Sequence, residues 1–414
     1  MRFIIGLFLC LVCSQVSCVK KLLLIQAIYR HGERTPTSIM PNDYFTEEKW
    51  PGGFEQLTLK GQRQHVALGK LVREKYKDFL PEIPDHRQIY VRSTDTARTI
   101  KSAMANNLGM YPKNESNPLW PDEHLIPVFN TPRPEDDLLF ADNPCELHDK
   151  VWRLAKTIPK VRKILDKPEI FANLTEFMGK NVTDANFWEV WSAIKCEKEA
   201  FPDEFEARTP WYNEDLWQKI LKINRGIQDF QVGKGLDGII LENYDIGRTL
   251  KSLRIGTLLN DLNDRMIAKV TCNMSNDTQK SATCQKLDPL KFLAYSTHDT
   301  TIYALYAALH LDELRFPEYA AALYIELWQE TEADRQTFFR IIHYRNDTDT
   351  LDNVVTRNIP ECFDDFCDLS IFRNYSLYYQ PDRVRKEWCD ISSFSPKIFN
   401  FAFFAGFLLL LIVD

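Results

Sequence analysis

The run "RHGERTP", residues 30 to 36, sets His31 between Arg30 and Arg34. A lone histidine in a polar loop is ordinarily a surface residue. Two guanidinium groups beside one imidazole are different, because crowded like charges destabilise a fold unless an anion joins them. The pattern implies an oxyanion, and planar guanidinium forks fit phosphate oxygens better than ammonium groups do. A second run, "RSTDTARTIKSA", carries Arg92, Asp95 and Arg98. Taken singly, each arginine reads as a solvated side chain or as the partner of Asp95. A third run, "YSTHDTT", carries His298 and Asp299. A His-Asp pair can ligate a metal, but no third ligand has suitable spacing nearby and arginine-rich surroundings repel a cation. They favour a dianionic substrate, with Asp299 as proton donor at the mouth of a helix.

Each run follows an apolar strand pattern and precedes a helical one. "KLLLIQAIY" leads to His31, "RQIYV" to Arg92, and "KFLAYS" to His298. Near-continuous apolar strands feeding amphipathic helices predict βα units of a parallel sheet covered on both faces. Ligands of such sheets bind beyond the carboxyl ends of the strands, where all three runs sit. Thr94 or Asp95 is the expected cap of the second helix, and Asp299 or Thr300 of the third. A further helix is expected over residues 58 to 80. "AALYIELWQ" and "QTFFRIIHYR" predict an antiparallel hairpin at the sheet edge. Residues 115 to 250 are rich in Trp, Lys, Glu and Pro with helical periodicity, and read as a helical insertion over the catalytic edge. The expected architecture is therefore α/β: a mostly parallel sheet with helices on both faces, formed by residues 19–114 and 251–390, plus a smaller α-helical cap.

Both ends read as targeting segments. Residues 1 to 18 have an early arginine, the apolar "FIIGLFLCLVC" and small residues at a cleavage position, as in a secretory signal peptide. Residues 398 to 414 form an apolar tail, expected to be either a membrane span or a signal exchanged for a glycolipid anchor near Ser392 and Ser393. The Asn-X-Ser/Thr acceptors at Asn114, Asn173, Asn181, Asn273, Asn276, Asn346 and Asn374 agree with a secretory route. Beyond residue 18 the cysteines are Cys145, Cys196, Cys272, Cys284, Cys362, Cys367 and Cys389, an odd set, so one thiol stays unpaired within the chain. Cys272 with Cys284, and Cys362 with Cys367, are close enough in sequence to bridge locally. A net charge of -7 without a long basic block argues against nucleic acid as a partner.

Together, "RHGERTP", "YVRSTDTARTIKSA" and "YSTHDTT" resemble the signature segments of the histidine acid phosphatases, the acid phosphatase branch of the histidine phosphatase superfamily. The order and separation of the three runs are similar, and the likeness extends from the signal peptide to the tail. It is greatest to secreted or lysosomal animal members, including insect venom-type enzymes. The resemblance implies that His31 attacks phosphorus to form a phosphohistidine. Arg30, Arg34, Arg98 and His298 would hold the phosphoryl oxygens, and Asp299 would protonate the leaving alcohol. It implies activity at acid pH on a small-molecule phosphate monoester, with no metal or cofactor. A membrane reached through the tail and a second copy of the chain are the other expected partners. The remaining cysteine pattern implies a Cys145–Cys389 bridge. Mammalian-like members pair a cysteine of the insertion with a later one, but here "EYAAALYIEL" has alanine at the corresponding place, which leaves Cys196 without that partner.

Other readings share the same residues. A phosphoglycerate mutase would return the phosphate to substrate, but Arg34 with Pro36 and the adjacent Asp299 favour hydrolysis. A phytase or a lysophosphatidic acid phosphatase would keep the core and change the lid, and a strongly basic pocket would mark the phytase. A retired scaffold used for binding would have lost one of His31, Arg34, Arg98, His298 or Asp299, and all five are present.

Overall fold

The computed structural model describes residues 19–38, 40–112, 125–274, 281–331, 335–346, 348–381 and 385–390. The expected signal peptide and hydrophobic tail lie outside the described residues, as do Asn114 and Asn276. The strands are β1 (Lys20–Arg30), β2 (Ile89–Thr94), β3 (Val128–Thr131), β4 (Ile240–Leu241), β5 (Tyr244–Asp245), β6 (Phe292–Thr297), β7 (Ala322–Glu330), β8 (Thr337–Tyr344) and β9 (Cys367–Asp368). Seven of them form one sheet in the order β3-β2-β6-β1-β7-β8-β9. The first four are parallel. β7, β8 and β9 continue the sheet antiparallel, with β7 and β8 as the expected hairpin.

Apolar residues alternate along β1 between two cores, as a strand buried on both faces requires. Ile25, Ala27 and Tyr29 pack with α1 (Leu59–Lys75) and α2 (Ala97–Met110). Leu24 and Ile28 face the other core, which holds α10 (Thr257–Met274), α12 (Asp299–Ala308) and α13 (Leu369–Tyr378). A register shift against β7 between Leu22 and Leu24 lets Leu23 join Leu24 in that second core. α1 ends at Lys75, short of the expected residue 80, and Tyr76 and Leu80 finish it in a turn that stays buried.

Between β3 and β4 lie α3 (Glu146–Ala155), α4 (Pro159–Leu165), α5 (Pro168–Met178), α6 (Phe187–Ala200), α7 (Pro202–Arg208) and α8 (Glu214–Gln231). α9 (Ile246–Lys251) follows the small β4–β5 hairpin, and α11 (Ala282–Leu287) precedes β6. Two features depart from the sequence reading. β3 lies inside the stretch expected to be a helical insertion, yet pairs in parallel with β2 and extends the main sheet. Four residues are too short for strand periodicity to register against the surrounding helical pattern. The helices also do not close a core of their own. Met40, Phe45 and Trp50, from the long loop after β1, pack with Leu174, Phe187 and Ile223.

Disulfides join Cys145–Cys389, Cys272–Cys284 and Cys362–Cys367, and Cys196 is a buried thiol. The first bridge spans 244 residues and the last only 5. Closing the longer loop removes more conformational freedom from the unfolded chain, so replacing Cys145 and Cys389 by Ser should cost about 2–5 kcal/mol. The same change at Cys362 and Cys367 should cost less, as read from denaturant midpoints. Equal losses would contradict this.

Candidate active site

Register brings the polar runs together. β1 and β6 pair Arg30 with Thr297, and the His31 amide continues the ladder by donating to the Thr297 carbonyl at 3.1 Å. His31 and His298 therefore leave adjacent strand ends, with ring centroids 5.7 Å apart. β2 pairs with the other side of β6 and delivers Thr94, whose Oγ1 lies 3.0 Å from His298 Nε2. The loop after His31 is clamped between two helices. Gly32 donates its amide to Ser102 of α2 at 3.1 Å, and it lies so close to α1 that a Cβ there would sit 2.3 Å from the Gly61 carbonyl oxygen. Gly61 is equally constrained, since its own Cβ would meet the Glu33 oxygen at 2.2 Å. The two glycines allow the His31 loop to rest on the first turn of α1.

That loop also decides the tautomer of His31. Its Nδ1 is 2.8 Å from the carbonyl oxygen of Gly32. A carbonyl only accepts, so Nδ1 carries the proton and donates, and Nε2 keeps its lone pair. Burial pushes the His31 pKa well below 6.5, and Arg98, Arg30, Arg34 and His298 push it in the same direction. His298 is also lowered, first by burial and then by Arg98, Arg133, Arg34 and Arg30. Both imidazoles are held neutral under a ring of cations.

Each arginine is fixed by the fold. Arg30, 1% exposed, donates to the Pro317 carbonyl at 2.9 Å, pairs with Asp299 at 2.6 Å and lies 4.2 Å over the Tyr319 ring. Arg34 donates to the Thr35 carbonyl at 3.0 Å and to Ser192 of α6 at 3.3 Å. Arg98 pairs with Glu55 at 3.3 Å. All three keep a buried Nε–H with no partner among the described residues. A buried donor left unmade costs about 1–3 kcal/mol, and Arg92 carries the same unpartnered Nε–H.

The helix caps differ from the expected ones. Thr96 caps α2, because Thr94 stays in β2 and its hydroxyl is engaged by Thr99 and His298. His298 occupies the cap position of α12, which places Asp299 in the first turn, where its two oxygens accept from the Thr300 amide and Arg30. Arg92 takes a structural place. It pairs at 2.6 Å with the fully buried Asp136, whose Oδ1 also accepts from the amides of Leu138 and Leu139. Asp95 holds neither arginine and accepts from Asn130 at 2.6 Å.

A cavity of about 650 Å³ opens over His31, Arg34, Arg98, His298 and Asp299. Sequence reasoning missed several of its supports. Arg133 follows β3, lines the cavity and lies 4.9 Å from the Phe140 ring, which stacks on His298. α6 contributes Ser192 to Arg34, and its Cys196 lies 3.6 Å from the Arg34 carbonyl and 3.7 Å from the Tyr319 hydroxyl. Spacing along the chain holds no signal for these contacts, since each depends on how the insertion docks.

A family model described as the histidine phosphatase superfamily (branch 2) matches residues 21–344. Lysosomal acid phosphatase of Rattus norvegicus is 30% identical over 84% of this chain and 76% of its own length. Prostatic acid phosphatase of Homo sapiens is 30% identical, over 80% of this chain and 78% of that protein. Among solved structures, the phytase from Citrobacter braakii shares the fold with a TM-score of 0.60 at 17% identity, covering 90% of this chain and all of that one.

Removing a neighbouring cation favours the imidazolium, so Arg98→Gln should raise the His31 pKa toward 6.5. Nitrogen NMR of labelled histidine should show wild-type His31 titrating well below pH 6.5, with a higher midpoint in the variant. An ordinary titration near pH 6.5 in the wild type would contradict the electrostatic account.

Proposed function

The chain belongs to branch 2 of the histidine phosphatase superfamily, and on that premise we propose that it is an acid phosphatase that hydrolyses phosphate monoesters through a phosphohistidine. The observation that carries this reading is the contact of His31 Nδ1 with the Gly32 carbonyl, which leaves Nε2 as a lone-pair nucleophile inside a cluster of guanidinium groups. The acid phosphatases of rat and human named above support the same reaction class.

In the proposed mechanism, His31 Nε2 attacks phosphorus in line with the ester oxygen. The N–P bond forms as the P–O bond breaks, and Asp299 passes a proton to the departing alkoxide. Arg30, Arg34, Arg98 and His298 hold the three non-bridging oxygens, where charge accumulates. The incoming dianion competes with Asp299 for Arg30 and loosens that ion pair, which frees the carboxyl for proton transfer. Asp299 then takes a proton from water, the water oxygen attacks phosphorus, and phosphate leaves as the N–P bond breaks. Acid pH supplies the proton that Asp299 passes on, while burial and the cations keep His31 unprotonated.

The phytase alternative called for a strongly basic pocket. The cavity instead mixes signs: Arg34, Arg98, Arg133, Arg153, Lys156 and Arg254 share its wall with Glu55, Asp142, Asp149, Asp184 and Asp299. That balance favours esters with few charges over a hexakisphosphate. Residues 115–250, as the proposed cap, supply Arg133, Asp142, Asp149, Arg153, Lys156 and Asp184 to this wall.

The relatives point to a secretory, lysosomal or extracellular location. Glycans at the exposed Asn173, Asn181 and Asn374, attachment to a membrane through the tail, and a homodimer are further parts of the proposal. No helix of the described residues is long and apolar enough to cross a membrane. Mass loss on deglycosylation, partitioning into vesicles and sedimentation test the three in turn.

Wild type should hydrolyse p-nitrophenyl phosphate between pH 4 and 6 in the presence of chelator, and His31→Ala should abolish turnover. Asp299→Asn should slow alkyl phosphates by about 10²–10⁴-fold, and p-nitrophenyl phosphate much less, because a good leaving group needs little protonation. Activity that survives His31→Ala would overturn the mechanism.

A further inference from the structure

The cavity above His31 is larger than one phosphate needs, and its wall holds a second polar cluster. His148 and Arg153 on α3 line it together with Arg254. These residues take no part in the reaction described above. The cations that act on His31 and His298 are Arg30, Arg34, Arg98 and Arg133, whereas Arg254 acts on His148.

Arg254 is presented by an unusual piece of backbone. α9 passes into a π-helical turn, Ser252–Gly256, before α10 begins. Four of those residues are buried, and Arg254 alone is partly exposed and reaches the cavity. Single π turns inside helices are rare and recur at functional sites.

The side chain is also positioned. Arg254 Nε donates to His148 Nε2 at 3.0 Å. Burial, with the charge of Arg254, pulls the His148 pKa down to about 4, so the ring remains a neutral acceptor in mild acid. His148, a neutral partner, orients the guanidinium through that contact. Asp149 lies beside the cluster, largely exposed, and faces the two guanidiniums of Arg153 and Arg254. The same cavity is also lined by the aromatic Trp188, Trp191 and Phe316.

We propose that Arg254 and Arg153, with Arg254 oriented by His148, form a second anion subsite that binds a carboxylate or second phosphate at the far end of the leaving group. The spacer between the two anions packs on the tryptophan wall. This inference rests on the phosphatase reading and assigns the class of substrate the enzyme prefers: an ester with an apolar spacer and an anionic terminus.

The test compares alkyl phosphates ending in methyl with those ending in carboxylate or phosphate, over a series of spacer lengths. At a preferred length the anionic terminus should raise kcat/KM by about ten- to a hundredfold, mostly through KM, as expected for one or two charge-assisted hydrogen bonds. Arg254→Gln should reduce that ratio to near one, and Arg254→Lys should recover part of it. A benefit shared by both termini assigns a general anion site, and one confined to bisphosphates assigns a phosphate site. No benefit at any length, or a ratio unchanged in a folded Arg254→Gln protein, overturns the proposal. Calorimetry with the matching non-hydrolysable phosphonates reads the same ratio as binding. It decides the subsite even where hydrolysis fails, an outcome that would count against the phosphatase reading alone.

Discussion

The structure turns on keeping one imidazole neutral while several guanidinium groups surround it. Arginines that crowd together repel one another and lose hydration on burial, so the arrangement survives only where each has a rigid local partner. Arg30 has the Pro317 carbonyl, Asp299 and the Tyr319 ring, Arg34 has Thr35 and Ser192, and Arg98 has Glu55. The partners satisfy part of each fork and leave one buried Nε–H of each arginine without a partner among the described residues. The folded state therefore concentrates positive charge around His31, the preorganisation on which the proposed chemistry depends.

The sheet makes this crowding achievable. Parallel pairing of β1, β2 and β6 delivers three loops to one edge without any of them having to cross the core. Tight approach of Gly32 to Gly61 then locks the His31 loop on α1, and the same loop supplies the carbonyl that fixes the ring tautomer. The arginine-binding groups on α6 and on the Pro317–Tyr319 loop come from outside this parallel unit. Docking of the insertion is thus coupled to the placement of Arg34 and Tyr319 through Ser192 and Cys196.

Much of this was legible in the chain. Strands buried on both faces announce themselves as apolar runs, and the three polar runs that follow them carry Arg30, His31, Arg34, Arg98, His298 and Asp299, which the fold brings to one cavity except for Arg30, packed just behind it against Asp299. The hairpin of β7 and β8 and the local disulfides were legible for the same reason, because their partners are near in sequence. Arg133, Ser192 and Tyr319 were not, since they sit after a four-residue strand, inside an amphipathic helix and in a connecting loop, where nothing in the local pattern marks a residue for chemistry. The cap of α2 moved to Thr96 because Thr94 had a competing use at His298. Arg92 likewise resembled a site residue by position, and only the buried Asp136 reveals its structural place.

The central claim is that His31 Nε2 is the nucleophile. It is tested most directly by mixing enzyme with a fast-leaving aryl phosphate, quenching in alkali within milliseconds, and locating bound phosphate by peptide mass spectrometry and phosphorus NMR. The account predicts phosphate on Nε2 of His31, at up to one equivalent, with none on His298. Phosphate on another side chain, or substrate turnover with no phosphorylated enzyme at any time point, would contradict it.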